Sequence, residues 1–239
     1  MKLLIDERED TYLVDEGKDF HTKYGFVKAD DLKNAKPGDM VESNMGRRFH
    51  VIEPDVSDFM RKAMRGPQAV MQKDAAIIAG YACLRSGSRV VEAGAGSGVL
   101  SIYLSYVIYP EKLVSYEIRE DFAEIAKANF SKYKIENVEL KLKDIYEGID
   151  EKELDAVVLD LTEPWKAVEH ARKALKVGGY LISYSPSINQ SRQLAEKLSG
   201  FRYETFECIL RNWKEESMRP DTRMIGHTGF ITVARILSR

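Results

Sequence analysis

The sequence predicts a doubly wound α/β fold carrying a terminal antiparallel hairpin, preceded by a small β-rich N-terminal domain. Three observations lead there. Ala156, Val157, Val158 and Leu159 form a continuous apolar run, as expected for a parallel strand buried on both faces. Such runs alternate with segments of helical periodicity, the order that builds a sheet covered by helices. Finally, Glu92-Ala93-Gly94-Ala95-Gly96-Ser97-Gly98 sits between the β-branched Val90-Val91 and the apolar Val99-Leu100, a pattern of strand, tight turn and helix.

Taken in order, residues 1–54 contain short alternating runs such as Tyr12-Leu13-Val14 and Phe49-His50-Val51-Ile52. They are broken by Gly17, Gly25, Pro37-Gly38-Asp39 and Gly46, which favours small strands and turns. A short connecting helix over 58–64 places the boundary between Pro54 and Gly66-Pro67, giving domains of residues 1–60 and 61–239. Apolar spacing predicts a helix over 69–84, then strands and helices in alternation: helices over 100–108 and 122–130, strands over 113–117, 138–142 and 156–159. A helix over 168–175 and a turn at Val177-Gly178-Gly179 lead to a strand over 180–184 and a helix over 188–198. Runs at 203–210 and 230–237, joined by a polar loop, pair antiparallel at one sheet edge.

With 44% hydrophobic residues in a chain of 239, there is enough apolar surface for a full core. No stretch is apolar for the length of a membrane span, and MKLLIDERED is charged where a signal peptide is apolar, so a cytoplasmic protein without a membrane partner is expected. Cys83 and Cys208 lack the spacing of a metal site or redox pair and read as buried small hydrophobes. Neither a disulfide nor a metal is expected. The net charge of -2 argues against a protein that coats nucleic acid nonspecifically, yet segments 44–73 and 211–239 each carry a local +3. Either this is ordinary surface mixing or the two segments form a phosphate-binding rim.

The glycine stretch is the chemical centre of the chain. Glycine tolerates positive φ and lets a ligand approach the backbone at a helix N-terminus. A dinucleotide fingerprint needs glycine where Val99 stands, and a phosphate loop needs Lys and Ser or Thr where Val99 and Leu100 stand. Two readings remain: a loop that cradles S-adenosylmethionine, or a purely structural turn. Glu117, ending the next strand, lies where a nucleotide fold places a carboxylate on ribose hydroxyls. Asp144 follows another strand tip, suited to an adenine amino group or to a plain turn. Asp160 ends the apolar run and could equally cap the helix behind it. Gly96, Glu117, Asp144 and Asp160 all fall at strand carboxyl ends, where such folds bind ligands.

These residues resemble those of class I S-adenosylmethionine-dependent methyltransferases of Rossmann-like fold, and more narrowly the tRNA (adenine-N1)-methyltransferases of the T-loop. The match runs from about Arg65 onward. It is carried by Arg65-Gly66-Pro67-Gln68, Glu92 to Leu100, Ser115-Tyr116-Glu117-Ile118-Arg119, Asp160 to Trp165, Tyr184-Ser185-Pro186-Ser187 with Gln190, and Arg219-Pro220 with Met224-Ile225-Gly226-His227-Thr228-Gly229-Phe230. The resemblance implies a homotetramer that binds tRNA and methylates adenine N1 at position 58, in archaeal members also 57. It implies that Glu92, Gly94, Gly96, Ser97, Gly98, Val99, Leu100, Glu117, Phe122, Asp144 and Asp160 line the cofactor. It also implies that Asp160 faces the target base and that Tyr184 packs against it. His227 and Thr228 are expected on the substrate side. The chain departs from the family at Thr162, usually Pro, at Met71-Gln72, usually an aromatic and Pro, and at Phe122, often His.

Adenine N1 carries an in-plane lone pair, so positioning supplies most of the catalysis, and a carboxylate accepting from the N6 amino group favours the cationic product. That is the role expected of Asp160. Trp165 and Trp213 are expected to be packing anchors. A methyltransferase acting on another RNA, a small molecule or a protein, and a noncatalytic tRNA-binding subunit, are the alternatives.

Overall fold

Strand β10 (Leu154–Leu159) explains how the larger part of the chain assembles. Its last four residues are fully buried, so both faces must be covered and both edges paired. It pairs in parallel with β7 (Val90–Ala93) on one side and β11 (Leu175–Ser185) on the other. The computed structural model describes residues 1–64, 66 and 69–238; Arg65, Pro67 and Gln68 of the 65–68 stretch, and Arg239, lie outside the described residues.

Residues 1–62 and 63–239 form two compact units. In the first, β1 (Lys2–Asp6), β2 (Thr11–Val14), β5 (Met40–Glu42) and β6 (Arg48–Ile52) make an antiparallel sheet of order β2-β1-β6-β5. A hairpin of β3 (Phe20–Thr22) and β4 (Gly25–Val27), a short helix α1 (Ala29–Asn34) and helix α2 (Val56–Lys62) complete it. Alternation drives the packing: Phe49 and Val51 of β6 point inward with Leu4, Val14, Leu32 and Val41, while Arg48, His50 and Ile52 point out. Tyr12 and Phe20 meet the Phe49 ring at 5.9 and 5.8 Å in edge-on contact.

In the second unit, helix α3 (Gln72–Tyr81) precedes β7, and α4 (Val99–Ile108), β8 (Leu113–Glu117), α5 (Glu120–Tyr133) and β9 (Val138–Leu142) follow it. After β10 and β11, which flank α6 (Val168–Ala174), come α7 (Ile188–Ala195), β12 (Phe201–Glu207), a two-residue pair β13 (Trp213–Lys214) and β14 (Arg219–Pro220), and β15 (Phe230–Ile236). The seven-stranded sheet has the order β12-β15-β11-β10-β7-β8-β9. The chain winds outward from β7 in one direction and from β10 in the other, so the order reverses between these two strands. Their carboxyl ends therefore open the crevice where doubly wound sheets bind ligands. The expected terminal hairpin is present, with β15 antiparallel to both β11 and β12.

Several expectations change. The turn expected at Val177-Gly178-Gly179 is a bulge inside one long strand: Leu175 pairs with Leu154 and Tyr180 with Ala156, so the intervening residues are extra on β11. Gly178 adopts φ +82°, and a Cβ on Gly179 would lie 3.0 Å from the carbonyl oxygen of Leu154. The helix expected over 69–84 is shorter, ending at Tyr81, because Ala82 caps it and Cys83 turns into the left-handed region at φ +51°. That turn exposes Cys83, and Cys208 is half-exposed, so neither thiol is the buried core residue expected. Trp165 packs against the sheet core, but Trp213 is 58% exposed because β13 lies outside the layered part of the fold. Among the described residues no helix is long and apolar enough to cross a membrane.

Phe49 is the keystone of the N-terminal unit. Phe49→Ala should destabilise that unit by about 3–5 kcal/mol, measured as a shift of its urea unfolding midpoint; a shift under about 1 kcal/mol would mean the aromatic cluster does not hold the sheet together.

Candidate active site

Strand β7 delivers the chain into the glycine turn, and each glycine there meets a different requirement. Gly94, at φ +86°, has its N–H donated to the Tyr116 carbonyl at 3.0 Å, and a Cβ would lie 2.0 Å from the Asp160 carbonyl oxygen. Gly98, at φ +77°, caps α4 without a side chain, and a Cβ would lie 2.6 Å from the Phe130 ring. Gly96, at φ +53°, is different: a Cβ there would find nothing nearer than the Gly94 oxygen at 3.9 Å. Two glycines let the loop pack against β10 and α5. The third faces open space, which leaves room for a ligand on the backbone. Val99 and Leu100 bury their side chains, so only their backbone amides, in the first turn of α4, remain for a ligand.

Around this turn the strand tips carry acids. Glu117 is nearly buried; its Oε2 accepts from Gly96 N–H at 2.8 Å and its Oε1 from Ile118 and Arg119 N–H at 2.9 Å each. Glu92 is sealed within the sheet, where Ser101 and Ser115 donate to its Oε2 at 2.5 and 2.7 Å. Its Oε1 has no partner among the described residues. Burial pushes its carboxyl up to about 7, with the Glu117 charge adding to the rise against the two serine hydrogen bonds. Asp160 follows β10 with its N–H donated to the Ala93 carbonyl at 2.9 Å, and it keeps part of its surface exposed. Its carboxyl is likewise raised to about 7, chiefly by burial and then by Glu92 and Glu117. Asp144 accepts from Tyr146 N–H through Oδ1 at 2.8 Å, capping a single 3-10 turn over Ile145–Glu147. The turn-forming reading of Asp144 is thus present in the structure, and its second oxygen is still available to a ligand.

The expected cofactor set is brought together in part. Ser97 lies buried in the turn, its carbonyl accepting from Asn129 Nδ2 at 2.8 Å. Phe122 stands in the first turn of α5, with the Arg119 guanidinium 4.0 Å from its ring and Gly66 against its edge. Of the residues expected on the substrate side, Tyr184 is 8% exposed and donates its hydroxyl to the Thr228 carbonyl at 2.6 Å. Its ring presses on Gly229, where a Cβ would come within 2.5 Å. Burial, followed by the Asp74 and Asp160 charges, pushes its phenol up to about 12. Tyr184 is therefore a packed side chain held against the 228–229 backbone. His227 is exposed, bridging Glu207 Oε2 at 2.8 Å and the Pro186 carbonyl at 3.1 Å, and the Glu207 carboxylate raises its imidazole above the ordinary range.

Three residues escaped sequence reasoning. Asn129, fully buried, ties the glycine turn to Met64 by accepting from its N–H at 3.0 Å and donating to its carbonyl at 2.9 Å. Its signal was available: an amide on the stripe of Ala123, Ala126, Phe130 and Tyr133 that is otherwise buried and apolar or aromatic. Lys73 and Asp74 form a buried pair at the start of α3, with Lys73 Nζ also donating to Thr228 Oγ1 at 2.7 Å. Nothing local distinguishes Asp74 from an ordinary first-turn acid.

A sheet of this order, with an open glycine turn and acids on successive strand tips at its switch point, defines a class I methyltransferase. Residues 62–217 match the family described as tRNA methyltransferase complex GCD14 subunit, and the chain belongs to that family. A Methanocaldococcus jannaschii protein named tRNA (adenine(57)-N(1)/adenine(58)-N(1))-methyltransferase TrmI is 38% identical, the alignment covering 98% of this chain and 94% of that protein. A Thermus thermophilus protein named tRNA (adenine(58)-N(1))-methyltransferase TrmI is 33% identical over 98% and 95% of the two chains. Among solved structures, a Thermotoga maritima protein described as a SAM-dependent O-methyltransferase superposes with a TM-score of 0.90 at 33% identity, covering 100% of this chain and 93% of that one. The Aquifex aeolicus tRNA (m1A58) methyltransferase TrmI gives 0.84 at 26% identity, covering 100% and 98%.

The raised Glu92 carboxyl has a measurable sign. A folded-state value near 7 against an ordinary 4.5 means the folded protein holds this proton more tightly than the unfolded chain. That contribution to stability is full below the ordinary value and is lost as pH rises through about 7. Glu92→Gln keeps an acceptor for the two serines, so its urea midpoint should fall less than that of the wild type between about pH 5 and 8. Parallel pH profiles for the two proteins would contradict the assignment.

Proposed function

We propose that this chain transfers a methyl group from S-adenosyl-L-methionine to N1 of an adenine in the tRNA T-loop, at position 58 and, as in the M. jannaschii relative's name, also 57. The observation that carries the reading is the juxtaposition, at the sheet's switch point, of a glycine turn facing open space with Glu117 and Asp160 on flanking strand tips.

The cofactor supplies an electrophilic methyl on a cationic sulfur. The residues present fit such a group: Gly96 leaves its side-chain space empty, the first amides of α4 suit a carboxylate, and Glu117 is held at the loop to accept from ribose hydroxyls. Glu92 acts from beneath, bracing α4 and β8 through Ser101 and Ser115. Asp144 completes the adenosine side with Phe122. Asp160 accepts from the N6 amino group of the target base, which fixes the edge that faces the methyl and stabilises the positive charge that appears on the adenine. Tyr184 provides the wall against which the base rests, while His227 and Thr228 hold the chain that backs it. N1 has no proton to lose, so the site needs no general base for this reaction.

A hydroxyl acceptor is the second reading, favoured by the O-methyltransferase name of the Thermotoga protein and by a carboxyl at Asp160 poised near neutrality. The two differ in product. Residues 1–60 are proposed as a separate domain, the assembly as a homotetramer and the compartment as the cytoplasm. Large exposed apolar side chains, among them Tyr203, Trp213, Met218 and Ile225, supply surface that subunit contacts would bury.

Incubated with unmodified tRNA and S-adenosylmethionine, the protein should yield 1-methyladenosine on nucleoside mass spectrometry; methylation only at ribose oxygen would select the second reading. Asp160→Ala should lower kcat by about 10²–10³ while affinity for S-adenosylhomocysteine is retained. Turnover equal to wild type would remove Asp160 from the mechanism.

A further inference from the structure

Residues 208–229 leave the sheet after β12 and return at β15, an arm whose two ends start from neighbouring strands, since Glu207 pairs with Phe230. One side chain from outside the hairpin reaches both ends. Lys73 Nζ, in the first turn of α3, donates to the Cys208 carbonyl at 2.8 Å and to Thr228 Oγ1 at 2.7 Å, and its third contact is Asp74 Oδ1 at 2.6 Å. All three ammonium donors are therefore used. The Lys73 side chain is 12% exposed and that of Asp74 is fully buried.

Burying such a pair costs desolvation that its Coulomb attraction often only balances, so net stability is a weak reason for its presence. Fixed geometry is the stronger reason. Thr228, held by Lys73 through its hydroxyl, receives the Tyr184 hydroxyl on its carbonyl. Tyr184 in turn stands beside Asp160, because Leu159 and Ser183, the residues just before them, are partners in the β10–β11 register. A contiguous path thus runs from Asp74 through Lys73, Thr228 and Tyr184 to the tip that carries Asp160.

We propose that Lys73, neutralised by Asp74, is a positioning residue: by tying Cys208 to Thr228 it fixes the return of the 208–229 arm and the Tyr184 wall against which the target adenine is held. The proposal rests on the adenine-transfer reading for its kinetic consequence, but the tying of the arm stands independently of the substrate.

The test uses the full chain with Lys73→Met and, because the first variant leaves Asp74 buried without a counter-ion, also Thr228→Val. Single-turnover and steady-state methylation of tRNA, calorimetry with S-adenosylhomocysteine and limited trypsin digestion are measured on each. Lys73→Met should lower kcat about 10²-fold, the effect of a misplaced reactant, with KM for tRNA and affinity for S-adenosylhomocysteine within about threefold of wild type. Thr228→Val should show the same split with a loss of about tenfold, the loss of one hydrogen bond to a charged group. In both, cleavage at Arg211, Lys214 and Arg223 should accelerate as the arm opens. Wild-type kcat in Thr228→Val, or a kcat loss matched by an equal loss of S-adenosylhomocysteine affinity, would overturn the proposal, including where Lys73→Met fails to fold. If the wild type methylates no tRNA, the functional reading falls instead, and unchanged trypsin cleavage in the variants would then overturn the tying of the arm.

Discussion

The close approach of the 94–98 backbone to the end of β10 is the constraint on which the site depends. The Asp160 carbonyl occupies the position a Gly94 side chain would fill, and the Phe130 ring occupies the position of one on Gly98. Because those two contacts lock the turn from either side, the amide of Gly96 is presented to Glu117 and the start of α4 is aimed into the crevice. Any side chain at 94 would push β7 and β10 apart where they must pair as neighbours. The ligand surface and the sheet register are therefore one geometric solution.

Electrostatics follow from that geometry. Glu92, Glu117 and Asp160 sit on the tips or interiors of β7, β8 and β10, adjacent strands; the Glu117 charge raises the cost of ionising both Glu92 and Asp160, and Glu92 adds to it at Asp160. Glu117 is held by three backbone amides, whereas burial and neighbouring acids push the carboxyls of Glu92 and Asp160 up to about 7. A cationic ligand placed beside Glu92 and Asp160 lowers the cost of ionising them. An acidic site of this kind favours a charged sulfonium over its neutral product.

Much of this was legible in the sequence because the signals are local. The spacing of Gly94, Gly96 and Gly98 behind a β-branched run names the turn, and Glu117 and Asp160 are found by counting to the ends of strands. Where local chemistry has two meanings, sequence reading faltered. Gly178-Gly179 signals a turn, yet pairing of β11 with β10 on both sides of it makes a bulge. Cys83 reads as core by type, yet the left-handed end of α3 exposes it. The Lys73–Asp74 pair draws its meaning from Cys208 and Thr228, contacts separated by more than half the chain, which no local pattern encodes.

Calorimetric titration of S-adenosylhomocysteine into the folded protein, compared with Glu117→Ala, tests the central claim most directly. Saturable binding of one ligand per chain, weakened at least about tenfold by the substitution, is the predicted result. No saturable heat with the wild type, or equal affinity in the two proteins, would contradict a cofactor cradled between the glycine turn and the β8 tip.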